Sequence, residues 1–156
     1  MSTEAWSTPR VAAAALLTGG IALLGCALTI ATDAAGRTLI AVAGVLLLAV
    51  GGQAAALRPR LRLVVGSADT PATLTVRRLT GTRSLTPGEV TRIRVLGLRR
   101  IGRRSTQLEI DFAVDGQAEP ALAVFGRWDL GADPAGVAET LHNAGFGVAD
   151  LDGDGR

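Results

Sequence analysis

The chain has 156 residues, and once an apolar N-terminal segment ending at residue 57 is set aside, 99 remain, enough for one small single-core domain and too few for two. The sole cysteine, Cys26, lies inside the apolar segment, which excludes an intramolecular disulfide and a Cys-based metal site. All sixteen basic residues are Arg, and the net charge of +2 hides an uneven chain: residues 58–104 carry twelve Arg against Asp69 and Glu89, a net of +10, while 105–156 carry two Arg against ten acids, a net of −8.

Residues 1–10 read as a short polar terminus, with Ser7, Thr8 and Pro9 offering a cap for a helix that starts at Arg10. Two runs follow, 11–31 and 38–57, neither containing Asp, Glu, Lys, Arg or His. About 20 helical residues cross a bilayer core of roughly 30 Å. The spacing therefore predicts a transmembrane hairpin over 11–57 with its turn at 32–37. The first run exceeds the ~7–15 residues of a signal-peptide core and a second run succeeds it, so both are read as spans. Arg10, Arg58, Arg60 and Arg62 flank one side against Arg37 in the turn, which predicts two spans in the cell membrane with both termini cytoplasmic. Gly19, Gly20 and Gly25 are expected to face Gly44, Gly51 and Gly52, since small residues let helices approach closely in lipid. The spans hold no ionisable group for an ion path or proton relay.

From residue 58 the hydrophobic period changes to two. Leu61, Leu63 and Val65 alternate into a turn at 66–71, 73–79 is rich in β-branched residues, and Gly81-Thr82 reverses into 83–85. Pro87-Gly88 turns into 89–96, with Thr91, Ile93 and Val95 on one face. Leu108, Ile110, Phe112 and Val114 define the inner face of 107–114. Asp115-Gly116 starts a turn into 121–125, where Leu122 and Val124 are expected to continue the core. Asp133 and Pro134 open a helix whose Val137, Ala138, Leu141 and Ala144 share a face, Gly145 closes it left-handed, and Phe146 folds back. About six strands and one C-terminal helix predict a bent antiparallel sheet or barrel with the helix in its open end.

The stretches Thr73-Leu-Thr-Val-Arg-Arg-Leu, Leu85-Thr-Pro-Gly-Glu-Val-Thr-Arg-Ile and Phe125-Gly-Arg-Trp-Asp-Leu-Gly-Ala-Asp-Pro carry a likeness. In that order they resemble the pleckstrin-homology (PH) fold, specifically the small PH-like domains on two-helix membrane hairpins of actinobacterial proteins, with the PH-like domain at 58–147. The resemblance implies a binding or adaptor module, since domains of this fold bind phosphoinositides, peptides or proteins. Phosphoinositide-binding members usually carry bases between their first two strands. The corresponding loop here, 66–71, has Asp69 and no base.

Two surfaces stand out as partner or lipid contacts. Arg92, Arg94, Arg99, Arg100, Arg103 and Arg104 form the densest basic cluster. Either Arg92 or Arg94 pairs across strands with Glu109 or Asp111, or the cluster meets anionic lipid headgroups, where each Arg contributes about 1 kcal/mol. Nucleic acid ranks below both, because the domain's few aromatics, Phe112, Phe125, Trp128 and Phe146, form no stacking platform. Arg127 and Trp128 fall in a loop before the helix, where Trp128 either anchors a partner or covers the core edge. Residues 148–156 read as a disordered acidic tail. Its alternating Asp150, Asp152 and Asp154 resemble the start of an EF-hand loop without the twelfth-position Glu. His142 has no Ser and carboxylate partners in evidence, and without Lys there is no phosphate-binding loop ending in one. The expectation is a membrane-anchored adaptor recruiting a protein partner, not an enzyme, with no cofactor or metal. The alternatives are a structural subunit whose hairpin is the interface, and an anionic-lipid sensor.

Overall fold

The computed structural model describes residues 2–30, 33–67, 70–79, 81–100, 103–114 and 119–149, with the backbone alone for 98–100, 103 and 104. Residue 69, the turn at Asp115-Gly116 and the tail from 150 onward lie outside these. Two compact units result, residues 8–58, and residues 1–7 with 59–156.

In the first unit, α1 (Arg10–Thr29) and α2 (Ala34–Ala56) form a hairpin. At 1.5 Å per residue both are long enough for a bilayer core, and their composition suits one. The turn is shorter than 32–37. Asp33 caps α2 by accepting from the Gly36 N–H at 2.6 Å, so Gly36 and Arg37 fall in the first helical turn. Side chains at Gly20 and Gly44 would not fit: a Cβ on Gly20 meets the Gly44 carbonyl at 2.9 Å, and one on Gly44 meets the Gly20 carbonyl at 3.0 Å. Gly51 is likewise pressed against Leu16 and Leu17. Gly25 and Gly52 depart from expectation, with no atom within 4 Å of a Cβ, so they do not face the partner helix.

Among the described residues the second unit has seven strands rather than about six. The additional one is β1 (Thr3–Trp6), in the segment read as a polar terminus. It pairs antiparallel with β2 (Leu61–Val64), from Thr3 opposite Val64 to Trp6 opposite Leu61. Hydrogen bonds from Arg60 N–H to Trp6 O (3.0 Å) and Val65 N–H to Ser2 O (3.1 Å) extend the pairing. The α1–α2 hairpin is thus the connection between two neighbouring strands of one sheet. β3 (Thr73–Arg78) and β4 (Gly81–Leu85) complete the order β1-β2-β3-β4. Gly81 already belongs to β4, paired with Arg78, so the reversal precedes it.

β5 (Val90–Arg100), β6 (Arg103–Phe112) and β7 (Ala121–Gly126) form a three-stranded antiparallel sheet. A bulge between Val90 and Arg92 buries Val90 with Ile93 and turns Thr91 outward, against the simple alternation expected. In β7 the expected face is reversed. Ala123 and Phe125 are buried opposite Ile110 and Leu108, whereas Leu122 and Val124 are each 44% exposed. The core joins Leu61, Leu63, Leu74 and Val76 of the first sheet to Ile93, Leu108, Ile110 and Phe112 of the second.

A short helix, α3 (Arg127–Leu130), follows β7, and α4 (Pro134–Asn143) buries Val137, Ala138 and Leu141. The Asp133 carboxylate does not cap α4; it accepts from the Thr106 hydroxyl at 3.3 Å. At the C-terminus Phe146 N–H donates to Leu141 O (3.1 Å) and Gly145 N–H to His142 O (2.9 Å), with Gly145 at φ +91°. That Schellman closure places Phe146 against the core beside Leu141. Val148 and Ala149, assigned to the tail, instead pair with Ile93 on β5.

Candidate functional site

The expected arginine cluster divides in two. β7 pairs with β6 only between Gln107 and Phe112, so residues 97–100 and 103–106 form a two-stranded ribbon running past the sheet. The strands are longer here than their apolar alternation indicated. At the sheet end Arg92 lies opposite Asp111 and Arg94 opposite Glu109. The Arg94 Nε donates to Glu109 Oε2 at 2.8 Å in a partly buried ion pair. At the ribbon's far end the register sets Arg99 opposite Arg104 and Arg100 opposite Arg103. Local pairing therefore accounts for Arg94, and the backbone register places the other four arginines opposite one another.

Arg127 and Trp128 open α3 instead of lying in a loop. The helix is fixed at both ends. Asp129 Oδ2 accepts the Gly126 N–H at 3.1 Å, and Gly131, at φ +65°, closes it by donating to Arg127 O. Gly126 itself sits at φ −90°, ψ 173°, open to any residue, so only Gly131 is a backbone requirement. Trp128 is 50% exposed and does not cover the core edge as a mostly buried Trp would. Arg127 is exposed beside it.

The structure adds a feature with no sequence signal. A cleft of about 310 Å³ is lined by Arg60, by Arg77, Arg78 and Leu79 at the end of β3, and by Leu122–Phe125 of β7. Arg60 Nη2 lies 3.3 Å from Asp129 Oδ1, tying the cleft to the α3 turn. The Arg60 Nε is buried without a hydrogen-bond partner among the described residues. Arg78 stands over the Phe112 ring at 5.8 Å from its centroid, a cation–π contact. Leu79 is 73% exposed and forms an apolar lip with Leu122 and Val124. Arginine therefore dominates the polar side of the cleft wall.

Outside the cleft, the Pro87 turn is held by Glu89, whose Oε2 accepts from both the Thr86 N–H and hydroxyl at 2.7 Å. The backbone bond foremost, then the hydroxyl bond, with Arg83 nearby, hold the Glu89 carboxyl below its ordinary range despite a small opposing desolvation. No group of three or more His, Cys, Asp or Glu placed to hold a metal occurs among the described residues.

In comparison with known proteins, the chain is 32% identical over 146 residues to the uncharacterized protein Rv0010c of Mycobacterium tuberculosis strain H37Rv, covering 94% of this chain and 96% of the relative. The uncharacterized protein MT0013 of strain CDC 1551 matches with the same identity and coverage. No family model matches the chain, and no solved structure matches it significantly.

Proposed function

The chain belongs to the family of the mycobacterial protein Rv0010c, and we propose that it is a membrane-anchored PH-like binding module, displayed on the cytoplasmic face to recruit a protein partner. The observation that carries this reading is the pairing of β1 with β2 across the hairpin. If α1 and α2 cross a bilayer, strands bonded to each other stand on the same side of it, so the hairpin anchors the β unit without dividing it. Exposed Val11, Ile21, Leu28, Leu39 and Leu46 along the two helices support a lipid environment. The excess of Arg10, Arg58, Arg60 and Arg62 over Arg37 supports the cytoplasmic side.

Sheets of four and three antiparallel strands followed by a helix support the PH-like reading. With β1 counted, the connection between the first two strands is the helical hairpin, and 66–71 joins the second to the third. The phosphoinositide loop of the fold thus has no counterpart at 66–71, and a protein partner is the better reading. The opposed arginines of the β5–β6 ribbon support anionic headgroup contact as an auxiliary.

The test has two arms. In a Cys26→Ser background, Ala35→Cys should react with an impermeant maleimide on intact cells and Glu139→Cys should not; the opposite pattern overturns the orientation. A photocrosslinker at Trp128 should capture one protein, and capture should survive exchange of the hairpin for an unrelated one. Capture that follows the hairpin instead would establish a structural subunit whose hairpin is the interface.

A further inference from the structure

We propose that the outer edge of β7, with the arginine cleft beside it, docks an extended acidic segment of a protein partner as a fourth strand of the β5-β6-β7 sheet. This rests on the binding-module reading and specifies where the module binds and what chemistry it takes.

Four consecutive β7 residues, Leu122 to Phe125, line the cleft. Successive side chains of a strand point to opposite faces, so only the strand's edge brings all four to one cavity. That edge is open, since β7 pairs with β6 alone among the described residues. The sheet's other edge is occupied by the chain itself. Ile93 N–H donates to Gly147 O at 3.3 Å and Ala149 N–H donates to Ile93 O at 2.7 Å. Exposed edges are usually blunted by Pro, by charge or by covering chain. β7, Ala-Leu-Ala-Val-Phe-Gly, has neither Pro nor charge.

A strand added to such an edge gains affinity from main-chain hydrogen bonds and specificity from alternate side chains. The facing wall sets that specificity. Arg60 and Arg78 against Asp129 leave a positive excess that calls for carboxylates, and the Leu79, Leu122 and Val124 lip calls for apolar residues between them. The partially buried Arg60, with Nε unpaired among the described residues, is placed to donate to one such carboxylate. A membrane leaflet offers anions but no strand to satisfy the β7 backbone, so a peptide fits this site better than a lipid surface.

The experiment uses the full chain in phosphatidylcholine nanodiscs and a fluorescent eight-residue peptide of alternating Val and Glu, read by anisotropy. Saturable binding is expected. It should weaken about tenfold or more, the scale of one charge-assisted hydrogen bond, when Glu is replaced by Lys in the peptide and in Arg78→Gln protein. The Val–Glu peptide N-methylated at alternate amides, which keeps every side chain but cannot complete a ladder, should lose binding without any change to the protein. Equal binding of all three peptides, no binding, or a dimer that the peptide cannot disperse overturns the proposal. Loss of binding on adding phosphatidylserine assigns the cleft to the leaflet and overturns it too. A partner captured at Trp128 with no peptide response would leave the binding-module reading standing and remove β7 as its site.

Discussion

The hairpin and the β unit are packed on opposite rules. Every buried residue of α1 and α2 is Ala or Gly, namely Ala13, Gly20, Ala27, Gly44, Gly51 and Ala54, while their Leu, Ile and Val side chains are half-buried or exposed. In the β unit the large residues are inside, with Phe112, Phe146, Leu61, Leu63, Ile93 and Ile110 at 2% exposure or less. Burying large apolar surface is what water rewards. Close backbone approach over small residues, with apolar side chains outward, is what association in lipid rewards. The difference teaches that one chain carries two packing problems, solved by opposite choices of residue size.

The strongest way to break that comparison is to truncate a large residue in each unit. Phe112→Ala and Trp6→Ala should each cost about 3–5 kcal/mol in the β unit, read by denaturant unfolding of the full chain in nanodiscs. Leu46→Ala, at a residue 60% exposed in the hairpin, should stay within about 0.5 kcal/mol. Similar losses at all three positions would mean the hairpin is also built around a water-driven core. Trp128→Ala should resemble Leu46→Ala, because Trp128 is half-exposed.

Adding bulk should invert the ranking. Gly20→Leu forces a Cβ to 2.9 Å from the Gly44 carbonyl and 2.7 Å from Leu48 Cγ, and overpacking of this kind costs about 1–3 kcal/mol. Gly25→Leu meets nothing within 4 Å and should be near neutral. Thermal unfolding of the hairpin, followed by helical circular dichroism, separates the two. Equal effects would remove the close helix approach as the organising contact.

What the sequence made legible follows from the same division. The two apolar helices, the inner half of β6 and α4 were readable because each is continuous, with one period and apolar residues to mark it. β1 was not, since Thr3–Trp6 is four residues with Trp6 alone buried, and its partner lies beyond the hairpin. The outer ribbon was missed because Gly97 to Thr106 carries no apolar alternation, only register. The β7 face was misread by favouring the larger Leu122 and Val124, when Phe125 anchors the other face with Ala123 buried beside it. The cleft was illegible in principle. It is assembled from residue 60, residues 77–79 and residues 122–125, which nothing short of the fold brings together, and its arginines were lost in a chain rich in Arg.

Smaller effects sharpen the comparison within the β unit. The Arg94–Glu109 pair is partly buried and cross-strand, and a double-mutant cycle with Arg94→Gln and Glu109→Gln should give about 0.2–1 kcal/mol of coupling, reduced by salt. Arg99 and Arg104 occupy opposed positions of the same ribbon. The cycle with Gln at those two should show no favourable coupling, or coupling of opposite sign. Favourable coupling there would remove the distinction between the two ends of the ribbon.

The smallest effect is a titration. Two hydrogen bonds from Thr86 lower the Glu89 carboxyl below its ordinary value of 4.5 in the folded chain. The unfolded chain therefore takes up this proton first as pH falls. The contribution is whole above about pH 4.5 and drains as pH drops through the lower folded value. A carbon-detected NMR titration of Glu89 should have its midpoint below 4.5, and a midpoint at or above that value removes the device. Thr86→Ala should return the midpoint only part of the way, because it deletes the hydroxyl donor and keeps the backbone N–H, the larger of the two causes. A full return would instead mean that the hydroxyl alone positions the carboxylate, and that the turn from β4 into β5 is held by a side chain rather than by its backbone.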